Sequence, residues 1–151
     1  MSHEGRPRPV TVNDLRKAKL QKRKISMVTC YDAAFARLVD ASQIDCVLVG
    51  DSLGNVMMGH ESTLQVTMDD MVHHSKCVAA GLSRAFLCTD MPFGSYQVSV
   101  AESVANAVRL VGEGRAHAVK LEGGSEICPQ IEAITKAGIP VIAHLGLTPQ
   151  S

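Results

Sequence analysis

Aromatic residues are scarce in this sequence: they make up 3% of its 151 residues, and tryptophan is absent. A surface that stacks nucleic-acid bases is therefore not expected. An excess of charge of one sign is also missing, because 15 basic residues balance 15 acidic ones. This balance argues against nucleic acid or an anionic membrane as the main partner. No apolar run is long enough to span a bilayer, and the first residues lack the apolar stretch of a secretory signal.

The cysteines lack the spacing of a metal site or of a disulfide framework. There are five of them, scattered along the chain, and none forms a C-x-x-C pair. An odd, scattered set predicts reduced thiols in the core of a cytosolic protein. We therefore expect a cytoplasmic protein whose partners are small molecules, with no nucleic acid and no membrane among them.

What the sequence does contain is four short apolar runs that each end in a polar residue. The runs end at Asp51, Asp90, Glu122 and His144. Short apolar runs bounded by turn residues are typical of strands buried on both faces of a parallel sheet. The active sites of such sheets lie at the carboxyl ends of the strands. The pattern therefore predicts that three carboxylates and a histidine meet at one edge of the sheet.

Helical patterns between these runs predict an alternation of strands and helices, with an additional helix at the start. The strands are expected at 25–29, 46–50, 85–89, 117–121 and after Pro140, and the first helix at 12–22. Such an α/β chain fits either an open doubly wound sheet or a (β/α)8 barrel. A dinucleotide-binding fold has little support, because no G-x-G-x-x-G follows the first strand. Since a complete barrel takes about 250 residues, the sequence predicts about five of its eight strand-helix units.

The domain organisation follows from these elements. Residues 1–10 contain a glycine and two prolines and are expected to form a flexible arm. Residues 11–151 are expected to be the N-terminal part of a single barrel domain that is incomplete at its C-terminus.

Capping residues predict helix starts at Thr11, Thr67, Ser99 and Ser125. Eight basic residues between positions 6 and 24 form either a solvated helix face or an arm that binds phosphate or a polyanion.

The three carboxylates are candidates for a metal site. Asp51, Asp90 and Glu122 would supply hard oxygen ligands from three strand ends, and Mg²⁺ prefers such ligands while keeping some water or substrate oxygens. A single carboxylate at a strand end is also a common helix cap. Three in successive units favour a shared site.

Three further polar residues near these strand ends have two interpretations each. Lys120 lies on the same face of its strand as Glu122, so it needs either an anionic ligand or an internal pair with that carboxylate. Ser52 is a hydroxyl donor for a substrate or a helix cap. His144 donates a hydrogen bond to a substrate oxygen or is a structural histidine.

Six segments have a more specific character. They are T-C-Y-D at 29–32, V-G-D-S-L-G at 49–54, G-H-E-S-T at 59–63, D-M-P-F at 90–93, K-L-E-G-G at 120–124 and H-L-G-L-T-P-Q-S at 144–151. In this order they resemble the ketopantoate hydroxymethyltransferase family, from about residue 11 to the last residue. Cys30, Glu61 and Leu121 stand where Ala, Asp and Ile are more usual in that family.

The resemblance implies a (β/α)8 barrel of the phosphoenolpyruvate/pyruvate type. It also implies Mg²⁺-dependent transfer of a hydroxymethyl group from the co-substrate 5,10-methylenetetrahydrofolate to the 2-keto acid 3-methyl-2-oxobutanoate. The product, 2-dehydropantoate, leads to pantothenate and coenzyme A. A homo-oligomer is implied for the full-length protein.

Matched residue by residue, the resemblance implies a metal site formed by Asp51, Asp90 and Glu122. The residues implied to contact the keto acid are Asp51, Ser52, Asp90, Lys120 and His144.

The family's general base is a glutamate after the strand that follows His144. No catalytic base is therefore expected within this chain, and the glutamate is expected beyond Ser151. Residues 1–151 alone are thus expected to be inactive and prone to association. The alternatives are a non-catalytic piece that binds metal or keto acid, and a related Mg²⁺-dependent lyase, which the segments at 120–124 and 144–150 disfavour.

Overall fold

Each strand of the sheet pairs with its neighbour in the chain. The computed structural model describes residues 8–150, and its five parallel strands lie in the order β1-β2-β3-β4-β5. The strands are β1 (Met27–Thr29), β2 (Cys46–Val49), β3 (Phe86–Asp90), β4 (Ala118–Glu122) and β5 (Val141–His144). The helices are α1 (Val12–Leu20), α2 (Ala33–Ala41), α3 (Leu53–Val56), α4 (Met68–Gly81), α5 (Val100–Gly112) and α6 (Cys128–Lys136). This sequential order is that of consecutive barrel strands and lacks the reversal of a doubly wound sheet.

The strand ends differ slightly from the sequence prediction. β3 and β4 run one residue further than expected, so Asp90 and Glu122 are themselves the last residues of their strands. The first strand begins at Met27, two residues later than predicted, and α1 ends at Leu20. The backbones of Asp90 and Glu122 are therefore held by the hydrogen bonding of the sheet.

The predicted helix starts are confirmed in three of four cases. Thr11 and Thr67 each form a reciprocal capping box with the aspartate three residues later. Ser99 accepts a hydrogen bond from the third helical residue without the reciprocal bond. The prediction for Ser125 is wrong, because this residue begins a short 3₁₀ turn and its side chain caps no helix; α6 begins three residues later, at Cys128.

The inner face of the strands is apolar towards their amino ends. A cluster of buried side chains from β2, β3 and β4 lies there, and residues before and within α1 pack against it. The cluster comprises Cys46, Phe86, Cys88 and Ala118, and the packed residues include Val10, Val12 and Leu15. α1 therefore covers the amino-terminal end of the barrel interior.

The opposite end of the same inner face carries the charged residues. Side chains alternate between the two faces of a strand, so Asp90 lies on the same face as Cys88, and Lys120 and Glu122 on the same face as Ala118. The alternate positions, such as Val119 and Leu121, belong to the larger core beneath the helices. The inner face of β3 and that of β4 thus pass from apolar to charged along the strand.

The N-terminal segment is partly tied to the barrel. The expected arm falls largely on residues 1–7, which lie outside the described residues. Val10 donates its backbone N–H to the carbonyl of Arg84 at 2.8 Å, and Arg23 pairs with Asp45 at 3.1 Å. Within 8–150, no helix has the length and apolar character needed to cross a bilayer.

Asp40, near the end of α2, organises the turn between α4 and β3. Its carboxylate accepts hydrogen bonds from the backbone N–H groups of Ser83, Arg84 and Ala85, at 2.9, 3.1 and 2.7 Å. The Ser83 hydroxyl donates a further bond at 2.6 Å. Burial opposes ionisation of Asp40, but these hydrogen bonds outweigh it and hold the pKa of the carboxyl below its ordinary value of 3.8.

We expect Asp40→Asn in the full-length protein to lower the free energy of unfolding at pH 7 by about 1.5–3 kcal/mol, the range for hydrogen bonds to a charged group. Because the folded pKa is lowered, this contribution is complete above the ordinary pKa and is lost as pH falls through the lower folded value. Urea unfolding at neutral and acidic pH measures both effects. Asp69→Asn, whose side chain is 83% exposed, is the matched control, and an equal loss in both variants would contradict the assignment.

Candidate active site

Three carboxylates meet at the carboxyl ends of β2, β3 and β4, as the sequence predicts. Asp51, Asp90 and Glu122 are all buried. The backbone N–H of Asp51 donates to Asp90 Oδ2 at 3.2 Å. A Cβ at Gly50 would lie at an ordinary contact distance of 3.4 Å from Asp90 Oδ2 and at a tighter 3.1 Å from Ser52 Oγ.

Lys120 is paired with Asp90 on the neighbouring strand. The two residues are partners in the register of β3 and β4, and Lys120 Nζ lies 2.8 Å from Asp90 Oδ1. The internal pair anticipated from the sequence therefore exists, but its carboxylate is Asp90 and not Glu122. Burial raises the pKa of Asp90, while the Lys120 ammonium opposes this rise.

Gln150 connects two of the carboxylates. Its side-chain N–H donates to Asp51 Oδ2 at 2.6 Å, and its backbone N–H donates to Glu122 Oε1 at 2.7 Å. The Tyr96 hydroxyl lies 2.8 Å from Gln150 Oε1 and 3.0 Å from the carbonyl oxygen of Glu122. Burial raises the pKa of Tyr96 to about 12, so this phenol keeps its proton at neutral pH.

Ser52 and His144 lie beside the carboxylates without fulfilling the structural roles that the sequence left open. Ser52 Oγ makes no capping bond to α3 and lies 2.9 Å from the Tyr31 hydroxyl. His144 Nδ1 lies 3.3 Å from Glu122 Oε2, yet the two atoms are not aligned for a hydrogen bond and the buried nitrogen has no partner among the described residues. His144 is therefore not a satisfied structural histidine.

The alternative in which each carboxylate caps a helix is not what the structure shows. The hydrogen bonds that the three side chains accept come from Gln150, Lys120 and the backbone of Asp51. None of these donors lies in the first turn of a helix. Asp51 and Asp90 are joined by a backbone hydrogen bond, and Gln150 connects Asp51 to Glu122. The three carboxylates are therefore linked across the ends of three strands.

The donor set fits Mg²⁺ by its chemistry. The site has three buried carboxylates, and the Lys120 ammonium neutralises one of them. The remaining negative charge suits a divalent cation. Within residues 8–150, however, no three side chains of His, Cys, Asp or Glu converge closely enough to hold an ion by themselves. An ion bound here would take the remaining oxygens from water or substrate, as Mg²⁺ commonly does.

Sequence reasoning did not single out three residues that shape this site. Gln150 and Tyr31 lie within the segments at 144–151 and 29–32, but nothing in their spacing indicated contacts with Asp51 and Ser52. Tyr96 lies in the loop after β3, and it was recognisable only as one of two tyrosines in the chain. A buried tyrosine requires a polar partner, which was the one available signal.

Several proteins of known name are similar to this chain in sequence. The chain matches the family model of ketopantoate hydroxymethyltransferase over residues 9–151. The 3-methyl-2-oxobutanoate hydroxymethyltransferase of Enterococcus faecalis is 55% identical over 93% of the chain, and that of Anaeromyxobacter sp. strain K is 56% identical over 99% of it. The chain spans about half the length of these relatives, 51% in each case.

Solved structures show the same fold at low sequence identity. Phosphoenolpyruvate phosphomutase from Streptomyces platensis subsp. rosaceus superposes with a TM-score of 0.71 at 16% identity, over 88% of this chain and 53% of that one. Phosphonopyruvate hydrolase in complex with oxalate and Mg²⁺ gives a TM-score of 0.68 at 16% identity, over 88% and 52%. The predicted α/β fold with about five strand-helix units is confirmed, because the described residues form five parallel strands in barrel order and share the fold of these structures.

The two solved structures share the fold at 16% identity and carry different names, whereas the two relatives above carry one name and are more than half identical to this chain. A family match over residues 9–151 and identities above half along nearly the whole chain cannot be explained by a common fold alone. The chain belongs to the ketopantoate hydroxymethyltransferase family.

Proposed function

We propose that this protein transfers a hydroxymethyl group from 5,10-methylenetetrahydrofolate to 3-methyl-2-oxobutanoate, with Mg²⁺ as cofactor and 2-dehydropantoate as product. The observation that carries the proposal is the meeting of Asp51, Asp90, Lys120 and Glu122 at one sheet edge in a chain of this family. A cytoplasmic location is proposed because the five cysteines are scattered and lack the spacing of a disulfide framework. A homo-oligomeric full-length protein is part of the same proposal.

The carboxylates would hold the cofactor and its water. Asp51 and Asp90 are joined through the Asp51 backbone and would bind the ion from two strands, and Glu122 would hold it directly or through a water molecule. An ion held there would supply the positive charge that stabilises an enolate and so makes the C–H next to the keto group of the substrate more acidic. Phosphonopyruvate hydrolase, which has this fold, is known in complex with oxalate and Mg²⁺, and oxalate presents a similar pair of oxygens.

The remaining polar residues would orient the keto acid. Lys120 already holds Asp90, and its ammonium has two further protons with which to bind the substrate carboxylate. The Ser52 hydroxyl, held by Tyr31, would donate a second hydrogen bond. His144 would contribute its unpartnered Nδ1 towards the same pocket.

The proton must be removed by a base that the described residues do not readily supply. Asp90 is bound to Lys120, and Glu122 accepts the Gln150 N–H. We therefore propose that the base is the glutamate that, in this family, follows the strand after His144. His144 is a second candidate, because its buried Nδ1 has no hydrogen-bond partner among the described residues.

One experiment with two arms tests the function. The full-length protein and a polypeptide of residues 1–151 are assayed for 2-dehydropantoate with both substrates and Mg²⁺, and again with a chelator. We expect chelator-sensitive turnover on the order of 1 per second or more from the full-length protein. No turnover is expected from the shorter polypeptide, which should associate because β1 lies at an edge and its three residues are exposed. Absence of product from the full-length protein refutes the function, and turnover by monomeric 1–151 would place the base within these residues, with His144 as the first candidate.

A further inference from the structure

We propose that Gln150 is a positioning residue whose carboxamide fixes the orientation in which Asp51 binds the divalent cation. This inference rests on the proposed function, because it concerns the metal site of that reaction. Gln150 is 6% exposed and lies in the segment after β5. It is not one of the residues assigned to substrate or metal above.

Every polar atom of the Gln150 side chain has a partner. Its Nε2 donates to Asp51 Oδ2 at 2.6 Å and to the carbonyl oxygen of Met91 at 3.1 Å. Its Oε1 accepts from the Tyr96 hydroxyl at 2.8 Å and from Gln97 at 3.4 Å. A buried amide with all its bonds made is held in one rotamer.

The partners also determine which way the amide points. Asp51 Oδ2 and the Met91 carbonyl are both acceptors, so only the NH₂ end of Gln150 can face them. Turning the amide over would place its oxygen against a carboxylate. The direction of the hydrogen bond to Asp51 is therefore set by chemistry.

The consequence for Asp51 is that one oxygen is held and the other is left for a ligand. Gln150 binds Oδ2, and Oδ1 accepts no hydrogen bond from the described residues. Hydrogen bonds from neighbouring groups that orient a metal ligand change metal affinity by about 10- to 100-fold. The backbone N–H of the same residue holds Glu122 Oε1, and a side-chain substitution leaves that second bond in place.

The competing possibility is that the amide obstructs the ion. Gln150 lies between Asp51 and Glu122, the two carboxylates that it bridges. If its NH₂ group stood where the cation binds, removing it would strengthen metal binding. The two interpretations therefore predict opposite changes in affinity.

The test uses Gln150→Met in the full-length protein, because methionine keeps a similar volume and flexibility while removing the hydrogen bonds. Free Mn²⁺ is measured by electron paramagnetic resonance during titration with the metal alone, and thermal unfolding is followed without metal. We expect the dissociation constant for Mn²⁺ to rise about 10-fold or more. Gln150→Asn, which is one methylene too short to reach Asp51, should give a similar rise if Gln150→Met folds poorly. Gln97→Met, which loses only the 3.4 Å contact, is the matched control and should bind Mn²⁺ normally.

The outcomes separate this inference from the proposed function. Lower thermal stability with an unchanged dissociation constant in the folded Gln150 variants would show a structural role only and overturn the inference. Tighter Mn²⁺ binding would overturn it in favour of obstruction. In both cases Asp51→Asn would still weaken binding, and the proposed metal site would stand. If the unaltered protein bound no Mn²⁺ in an Asp51-dependent manner, the proposed site and this inference would both fail.

Discussion

Replacing Asp90 with asparagine in the full-length protein is expected to abolish most turnover and to weaken metal binding together. Asp90 is proposed to bind the cation, and its carboxylate also holds Lys120 and the Asp51 backbone. Loss of a metal ligand removes about 3 kcal/mol or more of transition-state stabilisation, which corresponds to a fall in kcat of roughly 100-fold or more. Steady-state kinetics across a range of Mg²⁺ concentrations and a metal titration measure both effects.

The control for this result is Asp69→Asn, the same change at an exposed side chain on α4 that pairs with Arg109. It should leave turnover and metal dependence unchanged. An Asp90→Asn variant with ordinary turnover at the usual Mg²⁺ concentration would show that the three carboxylates do not form a shared site.

Replacing Lys120 with methionine should act mainly on the keto acid. The ammonium is proposed to bind the substrate carboxylate, and a charge-assisted contact of this kind contributes about 1.5–3 kcal/mol. We therefore expect KM for 3-methyl-2-oxobutanoate to rise by roughly 10- to 150-fold, with a smaller change in metal affinity. Substrate titrations at saturating Mg²⁺ measure the first quantity, and a Mn²⁺ titration without substrate measures the second.

The structure makes this a demanding test, because Lys120 already has an internal partner in Asp90. If the lysine served only to hold that carboxylate, Lys120→Met would change metal affinity and leave KM unaltered. Lys136→Met, at an exposed position that pairs with Glu132, is the matched control and should change neither quantity.

The order of elements was predictable because it depends on patterns that the chain carries locally. Apolar runs marked the strands that end at Asp90 and Glu122, and threonine caps marked α1 and α4. The pairing of Lys120 was not predictable, since it depends on which residue of β3 lies opposite it in the sheet. Ser125 was misassigned because a short 3₁₀ turn and a helix begin with similar residues.

The types of residue in the site could be predicted from the sequence, but the hydrogen bonds between them could not. Carboxylates at strand ends are visible in sequence, whereas the contacts of Gln150 span 99 positions to Asp51. No local pattern encodes such a contact. It arises because the segment after β5 returns over the strand ends, and only the folded chain shows this.

The inner face of β4 changes from apolar to charged along the strand, and this affects which pairing register can fold. A shift of β4 by one residue would turn Lys120 and Glu122 towards the helices and bring Val119 and Leu121 inside. The same error would bury two charges in the core and dismantle the proposed cation site. A chain in which this strand is misaligned should therefore be unstable as well as unable to bind the cation, so the register of β4 that forms the site is also the one that the core requires.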